Sequence, residues 1–203
     1  MWVTAHKQTF NRWLEPLARA VAKTGVSPNA ITLTVPILIT VVCVAFVRTR
    51  QVLPFCALVL LFGLCDGLDG AVARVSKRTT KQGAYLDAVA DRYVEILVGW
   101  ATAEVTGYWR LILLVLAGGM LVSYAKARAA MEVPVSNLEW PDLAERTERS
   151  LLFLAGLVAS RVFSWKPLGH DLFWWVLVLL ISLIYWTVVQ RVLRACRYIK
   201  ERS

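Results

Sequence analysis

Four aspartates dominate the chemistry this sequence could perform. Asp66 and Asp69 are three residues apart, and Asp87 and Asp91 are four apart. On a helix, either spacing puts both carboxylates of a pair on one face. A short basic connection, Lys77 to Gln82, separates the two pairs. It predicts two antiparallel neighbouring helices whose carboxylates face each other at one depth. Four carboxylates gathered at low dielectric repel strongly. Such a group either takes up protons or holds a cation. Hard divalent cations prefer oxygen ligands, and Mg2+ commonly combines carboxylates with a substrate's phosphates. The plainer alternative is a set of Asp–Arg or Asp–Lys pairs at helix ends. Within a bilayer ionisable side chains are costly, which favours the functional reading.

The intervening residues suit a phosphate ligand. Gly70 follows Asp69 and lets a ligand come close to the backbone. Ala73 is small, and Arg74 can hold a phosphate bidentately. Gly83 opens the next predicted helix, where it can also admit a ligand.

The elements that must position these residues are membrane helices. Of 203 residues, 58% are hydrophobic, and the mean hydropathy is +0.56. Soluble domains average nearer half apolar. The apolar residues come in blocks, and a block of about 20 can cross a bilayer as a helix. The net charge of +9 would suggest nucleic acid for a soluble chain. In a membrane chain, basic residues set orientation and hold anionic head groups, so no nucleic-acid partner is expected. Cys43, Cys56, Cys65 and Cys196 include no CxxC pair and read as small buried residues rather than disulfides or metal ligands. No cleavable signal peptide is expected, and the first span would direct insertion.

The predicted fold is all-α and polytopic, a single membrane domain over residues 1–203. Residues 4–23 form an interfacial amphipathic helix, with Phe10, Trp13, Leu14, Leu17, Ala18 and Val21 on one face. Gly25 suits its end, and Ser27 caps the next helix with Pro28 in its first turn. A six-helix bundle covers about 30–192. Its spans are about 30–47 (kinked at Pro36), 52–75, 83–105, 111–130, 145–163 and 172–192, followed by a basic tail at 193–203. This arrangement puts eighteen of the 23 Lys and Arg residues on one side. The positive-inside tendency therefore places both termini and the aspartates in the cytoplasm of a multi-pass cell-membrane protein.

The run Asp66-Gly67-Leu68-Asp69-Gly70-Ala71-Val72-Ala73-Arg74, then Gly83, Asp87 and Asp91, resembles the CDP-alcohol phosphotransferase signature at every fixed position. The six spans and the preceding interfacial helix extend the likeness over most of the chain. The resemblance implies that Asp66, Asp69 and Asp87 are metal ligands. It makes Asp91 a further ligand, the catalytic base, or both. Asp69, Gly70, Ala73, Arg74 and Gly83 would form the CDP site. Two divalent ions, Mg2+ or Mn2+, and a homodimer are likewise implied. The partners would be a CDP-linked lipid, a polyol acceptor and the surrounding membrane lipids.

A second basic region bears on the acceptor. Ser123-Tyr124-Ala125-Lys126-Ala127-Arg128 ends the fourth span, and Glu145-Arg146-Thr147-Glu148-Arg149 opens the fifth. Lys126, Arg128, Arg149 and Arg191 or Arg194 could converge on a phosphate carried by the acceptor. The two stretches are similar to the family branch that uses inositol phosphate. Ordinary positive-inside flanking would look alike, and glycerol 3-phosphate is a competing acceptor. Two other functional classes share parts of this pattern. An ion-coupled transporter has no need of the whole signature, and prenyl transferases commonly carry DDxxD-like patterns. The lipid could be diacyl or archaeal ether.

Several residues carry less. Asn29 and Thr32 lie near the cytoplasmic end of the first span, where capping suffices for Asn29. His6 and His170 have no partner spacing. The nine Trp residues read as interface anchors or packing. Glu95 and Glu104 are expected toward the bundle interior, with no partner evident.

Overall fold

The computed structural model describes residues 27–76, 80–132 and 146–202, with positions 16, 19 and 20. Within these, the side chains of residues 28, 29, 31, 66–70 and 202 are not described. The expected interfacial helix at 4–23 and its end at Gly25 lie outside the described residues, apart from those three positions. All regular structure among the described residues is helical. Two compact units divide the chain at Gly107 and Tyr108.

The first unit holds three helices. Helix α1 spans Pro28–Thr49, α2 spans Val52–Val75, and α3 spans Lys81–Thr106. Ser27 caps α1 as expected: its Oγ accepts from the Ala30 N–H at 3.2 Å, and Pro28 takes the first turn. Arg50 closes α1 in the left-handed region at φ 56°, donating its N–H to Phe46 O at 2.8 Å. Pro36 lies within α1, yet the helix continues through it. Thr80 caps α3, its Oγ1 accepting from the Gly83 N–H at 2.9 Å.

Helix α1 has two distinct faces. Thr32, Val35, Ile39, Val42, Cys43 and Phe46 are buried, while Leu33, Ile37, Val41 and Val44 are exposed. Exposed apolar residues at helical spacing are what lipid would cover. The buried face packs against both α2 and α3, and Phe46 stacks on Phe55 with ring centroids 3.9 Å apart. Among the described residues, direct packing between α2 and α3 is slight. The two aspartate-bearing helices are thus held mainly through α1.

The second unit holds α4 over Trp109–Glu132, α5 over Arg146–Val162, a 3-10 turn at Pro167–Gly169, and α6 over Leu172–Arg202. Helix α6 packs against both α4 and α5. Its buried stripe is Phe173, Leu177, Leu180, Ile184, Thr187 and Arg191, alternating steps of four and three. Two glycines let the helices close. A Cβ on Gly118 would lie 2.5 Å from Ile184 Cγ2, and one on Gly156 would lie 2.7–2.9 Å from three Val176 atoms. Small residues serve this purpose in membrane helix packing. Phe153 meets Phe173 edge-on at 5.2 Å. The residues expected as a basic tail continue α6 as helix to Arg202.

Among the described residues, three helical stretches are long and apolar enough to cross a membrane: Thr32–Thr49, Trp109–Glu132 and Leu172–Glu201. Val52–Cys65 is apolar but shorter, because the aspartates follow it. Helix α3 interleaves Asp87, Asp91, Arg92, Glu95 and Glu104 with its apolar residues. Helix α5 is only 17 residues long and begins with charged side chains. The described residues are therefore all-helical with several apolar helices, consistent with a membrane protein. All four cysteines are free; Cys43 and Cys56 are buried as expected, whereas Cys65 is half-buried beside the polar end of α2 and Cys196 is exposed on the polar last turns of α6.

Candidate functional site

Helix α2 carries Asp66, Asp69 and Gly70 on one unbroken stretch of helical backbone. The side-chain half of that expectation lies outside the described residues. Beyond it, Ala71 and Val72 are buried, Ala73 is half-buried and Arg74 is exposed. Ser76 ends the helix, donating from Oγ to Val72 O at 2.6 Å.

Asp87 and Asp91 both lie in α3, one helical turn apart and half-buried. Asp91 Oδ1 is closed off from solvent. Gly83 is half-buried in the first turn of α3, where the Thr80 hydroxyl holds its N–H. The structure therefore keeps the predicted residues of each helix together, and α1 holds those two helices in one unit. Half-buried carboxylates, one with a sealed oxygen, are hard donors of the kind a divalent cation selects. Asp87 and Asp91 supply two such donors; among the described residues no group of three or more His, Cys, Asp or Glu side chains gathers as a metal site.

Glu95 gains a partner that its spacing did not disclose. Arg92 Nη1 stands 2.7 Å from Glu95 Oε2, and both side chains are mostly covered. The contact pairs charges without aligned hydrogen-bond geometry at that oxygen. Glu104 is exposed rather than interior. The expectation that it faces the bundle fails because it falls on the uncovered face of α3, beside buried Ala103 and Val105.

In the second unit the expected acceptor residues divide. Arg149 and Arg191 are buried, at 8% and 6% exposure. Arg191 takes the last place in the apolar stripe of α6, and its Nη1 donates to the Val122 carbonyl of α4. Val122 lies one helical turn before Lys126, which is half-buried. Arg194 is also half-buried. Arg128 is exposed and paired with Glu132 at 2.6 Å, on the surface of α4. Burial of Arg149 and Arg191 escaped the sequence, where every basic helix end looks the same. A guanidinium is expensive to bury unless something satisfies its donors.

At the other end of this unit, Tyr108 donates its hydroxyl proton to Asp171 Oδ2 at 3.0 Å. Asp171 Oδ1 also caps α6 by accepting from the Trp174 N–H at 2.9 Å. Burial, then this hydrogen bond and the charge of Asp171, push the Tyr108 hydroxyl up to about 12. His170 stacks on Trp174 at 4.2 Å, a packing role in keeping with its lack of partner spacing.

Comparison with known proteins gives concordant results. The model of the CDP-alcohol phosphatidyltransferase family matches residues 25–186. An archaetidylinositol phosphate synthase of Methanothermobacter thermautotrophicus is 31% identical over 199 residues, covering 96% of this chain and 94% of its own. A phosphatidylinositol phosphate synthase of Mycobacteroides abscessus is 32% identical over 193 residues, covering 91% and 84%. The crystal structure of the Mycobacterium tuberculosis phosphatidylinositol phosphate synthase with CDP-DAG bound superposes with a TM-score of 0.78. The two share 25% identity, over 91% of this chain and 94% of that one. The same enzyme in complex with manganese and citrate gives a TM-score of 0.77, covering 90% and 88% at the same 25% identity.

Proposed function

The chain belongs to the CDP-alcohol phosphatidyltransferase family, and we propose that it transfers the phosphatidyl or archaetidyl group of a CDP-linked lipid to inositol phosphate, releasing CMP. It is a transferase of phospholipid synthesis. The likeness to an archaetidylinositol phosphate synthase across nearly all of both chains carries the choice of acceptor. The neighbour crystallised with CDP-DAG supports a CDP-lipid donor.

The residues divide the work as follows. Asp66, Asp69, Asp87 and Asp91 would hold two divalent ions, Mg2+ or Mn2+, which when bound neutralise the diphosphate and the departing CMP. Arg74 pairs with a diphosphate oxygen, and Gly70, Ala73 and Gly83 leave room beside Asp69 for the nucleotide. Asp91 accepts the proton of an acceptor hydroxyl as that oxygen attacks the lipid-side phosphorus. The bond from this phosphorus to the bridging oxygen breaks, and the electron pair leaves with CMP. Positioning and charge stabilisation dominate such transfers. Lys126, Arg149, Arg191 and Arg194 hold the phosphate of the acceptor. Arg128 contributes least, because Glu132 already engages it.

In this reading all six helices cross the membrane within one domain, and the aspartates and both termini face the cytoplasm. Residues 4–23 lie at the interface, and the enzyme works as a homodimer. Of the charges of α3, Asp87 and Asp91 then belong to the reaction.

The deciding experiment is CMP release from one CDP-lipid with inositol phosphate, inositol, glycerol 3-phosphate or serine as acceptor. Turnover greatest with inositol phosphate is the expected outcome. Preference for glycerol 3-phosphate would move the enzyme to another branch. Solute transport without CMP release would remove it from enzymology altogether.

A further inference from the structure

Three of the five basic residues assigned to the minority side of the membrane gather at one end of the second unit: Arg110, Arg161 and Lys166. The Tyr108–Asp171 hydrogen bond joins the start of α4 to the start of α6 there. The α5–α6 turn completes this end, which is the one away from Arg149 and Arg191. Transfer chemistry makes no use of it.

The turn displays apolar side chains on a fixed frame. Trp165 is 68% exposed and Leu168 is 85% exposed, with Phe163 also uncovered. Leu168 sits in the left-handed region at φ 52°, ψ 30°, a conformation that strains any residue with a Cβ. The strain is held by neighbouring bonds. Pro167 O accepts from Trp175 Nε1 and from the His170 N–H, and Lys166 O accepts from the Gly169 N–H, each at 3.2 Å. In water this arrangement would combine backbone strain with exposed apolar surface. At a head-group boundary the second cost becomes a gain.

We propose that this turn anchors the protein in the membrane interface, with Phe163, Trp165 and Leu168 in the upper acyl region. Arg110, Arg161 and Lys166 hold phosphates of anionic lipids around them. Three observations select lipid as the occupant. The surface continues from α4 and α6, which are apolar enough to span. Trp interleaved with Arg and Lys is the composition of a membrane boundary. The carbonyls of Lys166 and Pro167 are already bonded internally, so the turn offers little backbone edge for an extended peptide. The inference requires α4 and α6 to cross the bilayer. It does not depend on the transfer reaction, so an acceptor panel that fails leaves it standing.

The test uses the full chain in lipid nanodiscs, on a Cys196→Ser background that removes the exposed native thiol. A nitroxide at Leu168→Cys should collide with oxygen several-fold more readily than with a water-soluble nickel chelate. In a mixed phosphatidylcholine and phosphatidylglycerol disc, spin-labelled phosphatidylglycerol should be enriched at the protein. Arg110→Gln/Arg161→Gln/Lys166→Gln should abolish that enrichment while keeping CMP release. If the labelled variant fails to fold, Trp165→Phe should measurably lower the tryptophan quenching caused by lipids brominated near the head group. A nitroxide open to the chelate, enrichment unchanged in the triple variant, or unaltered quenching would each overturn the proposal. Protection that occurs only in native membranes would assign the surface to a protein and overturn it equally.

Discussion

Arg191 occupies a place in α6 where periodicity calls for an apolar residue. The stripe from Phe173 to Thr187 would continue naturally with leucine or methionine. A buried arginine here trades helix packing for a charge that Val122 O satisfies only in part. Arg191→Met should therefore leave thermal stability unchanged or raised, while acceptor kcat/KM falls by about 10- to 100-fold, the value of a charge-assisted contact. A variant that loses stability without changing acceptor kinetics would make Arg191 purely structural. Asp69→Asn and Asp91→Asn should each cut CMP release by about 10^2- to 10^4-fold with membrane insertion intact. Tyr108 offers a pH test outside the spans. Its hydroxyl is pushed up to about 12, above its ordinary value of 10.0. Burial, then the Asp171 bond and charge, favour the protonated hydroxyl, so its contribution is full below the unfolded value and is lost as pH rises through about 12. The 295 nm titration difference between wild type and Tyr108→Phe should show this late step. The helical spacing of the aspartates is written directly in sequence, and α2 and α3 run as unbroken helix through them. Burial of Arg149 and Arg191 was not legible there, since a phosphate ligand and a positive-inside flank use the same residue types. The Arg92–Glu95 pair was also hidden, because contact at that spacing depends on rotamers.

Helix ends and registers followed closely from local chemistry. Ser27-Pro28 started α1 as its side chains require, and α2 ran from Val52 to Val75 as its apolar run and basic exit predict. The Thr80 cap went unrecognised among seven consecutive polar positions, Ser76 to Gln82. Helix α6 outran its expected end at Val192 because nothing in Leu193–Arg202 breaks a helix. The span count was harder to judge, since charged α3 and short α5 fall below what composition alone would accept. Close approach at Gly118 and Gly156 was illegible, because a glycine in an apolar run reads the same whether or not a neighbour touches it. Gly118→Val should force α4 from α6 and cost about 1–3 kcal/mol, seen as a lower melting temperature in detergent. Gly63→Ala, with nothing within 4 Å of the added carbon, should be neutral or stabilising by up to about 1 kcal/mol. Equal behaviour of the two variants would deny the packing role of Gly118.

Across the whole chain, each compact unit carries one part of the proposed reaction. Residues 2–107 hold the aspartates, Arg74 and Gly83, while residues 108–203 hold the acceptor-binding candidates. Kinetics should separate along the same division. Lys126→Ala should raise the KM for inositol phosphate with little change in the metal or CDP-lipid concentration needed for half activity. A comparable loss in all three would contradict the division. The two units also have contrasting plans, with the first helix central in one and the last helix central in the other. Because α2 and α3 touch mainly through α1, the separation of those two helices is dictated from behind. Trimming Ile39 to alanine, a change buried in hydrocarbon with no charge altered, would let those helices drift. Its symptom would be a weakened grip on divalent ions, so a lesion resembling a simple packing defect would present as a metal-deficiency phenotype relieved by excess Mg2+.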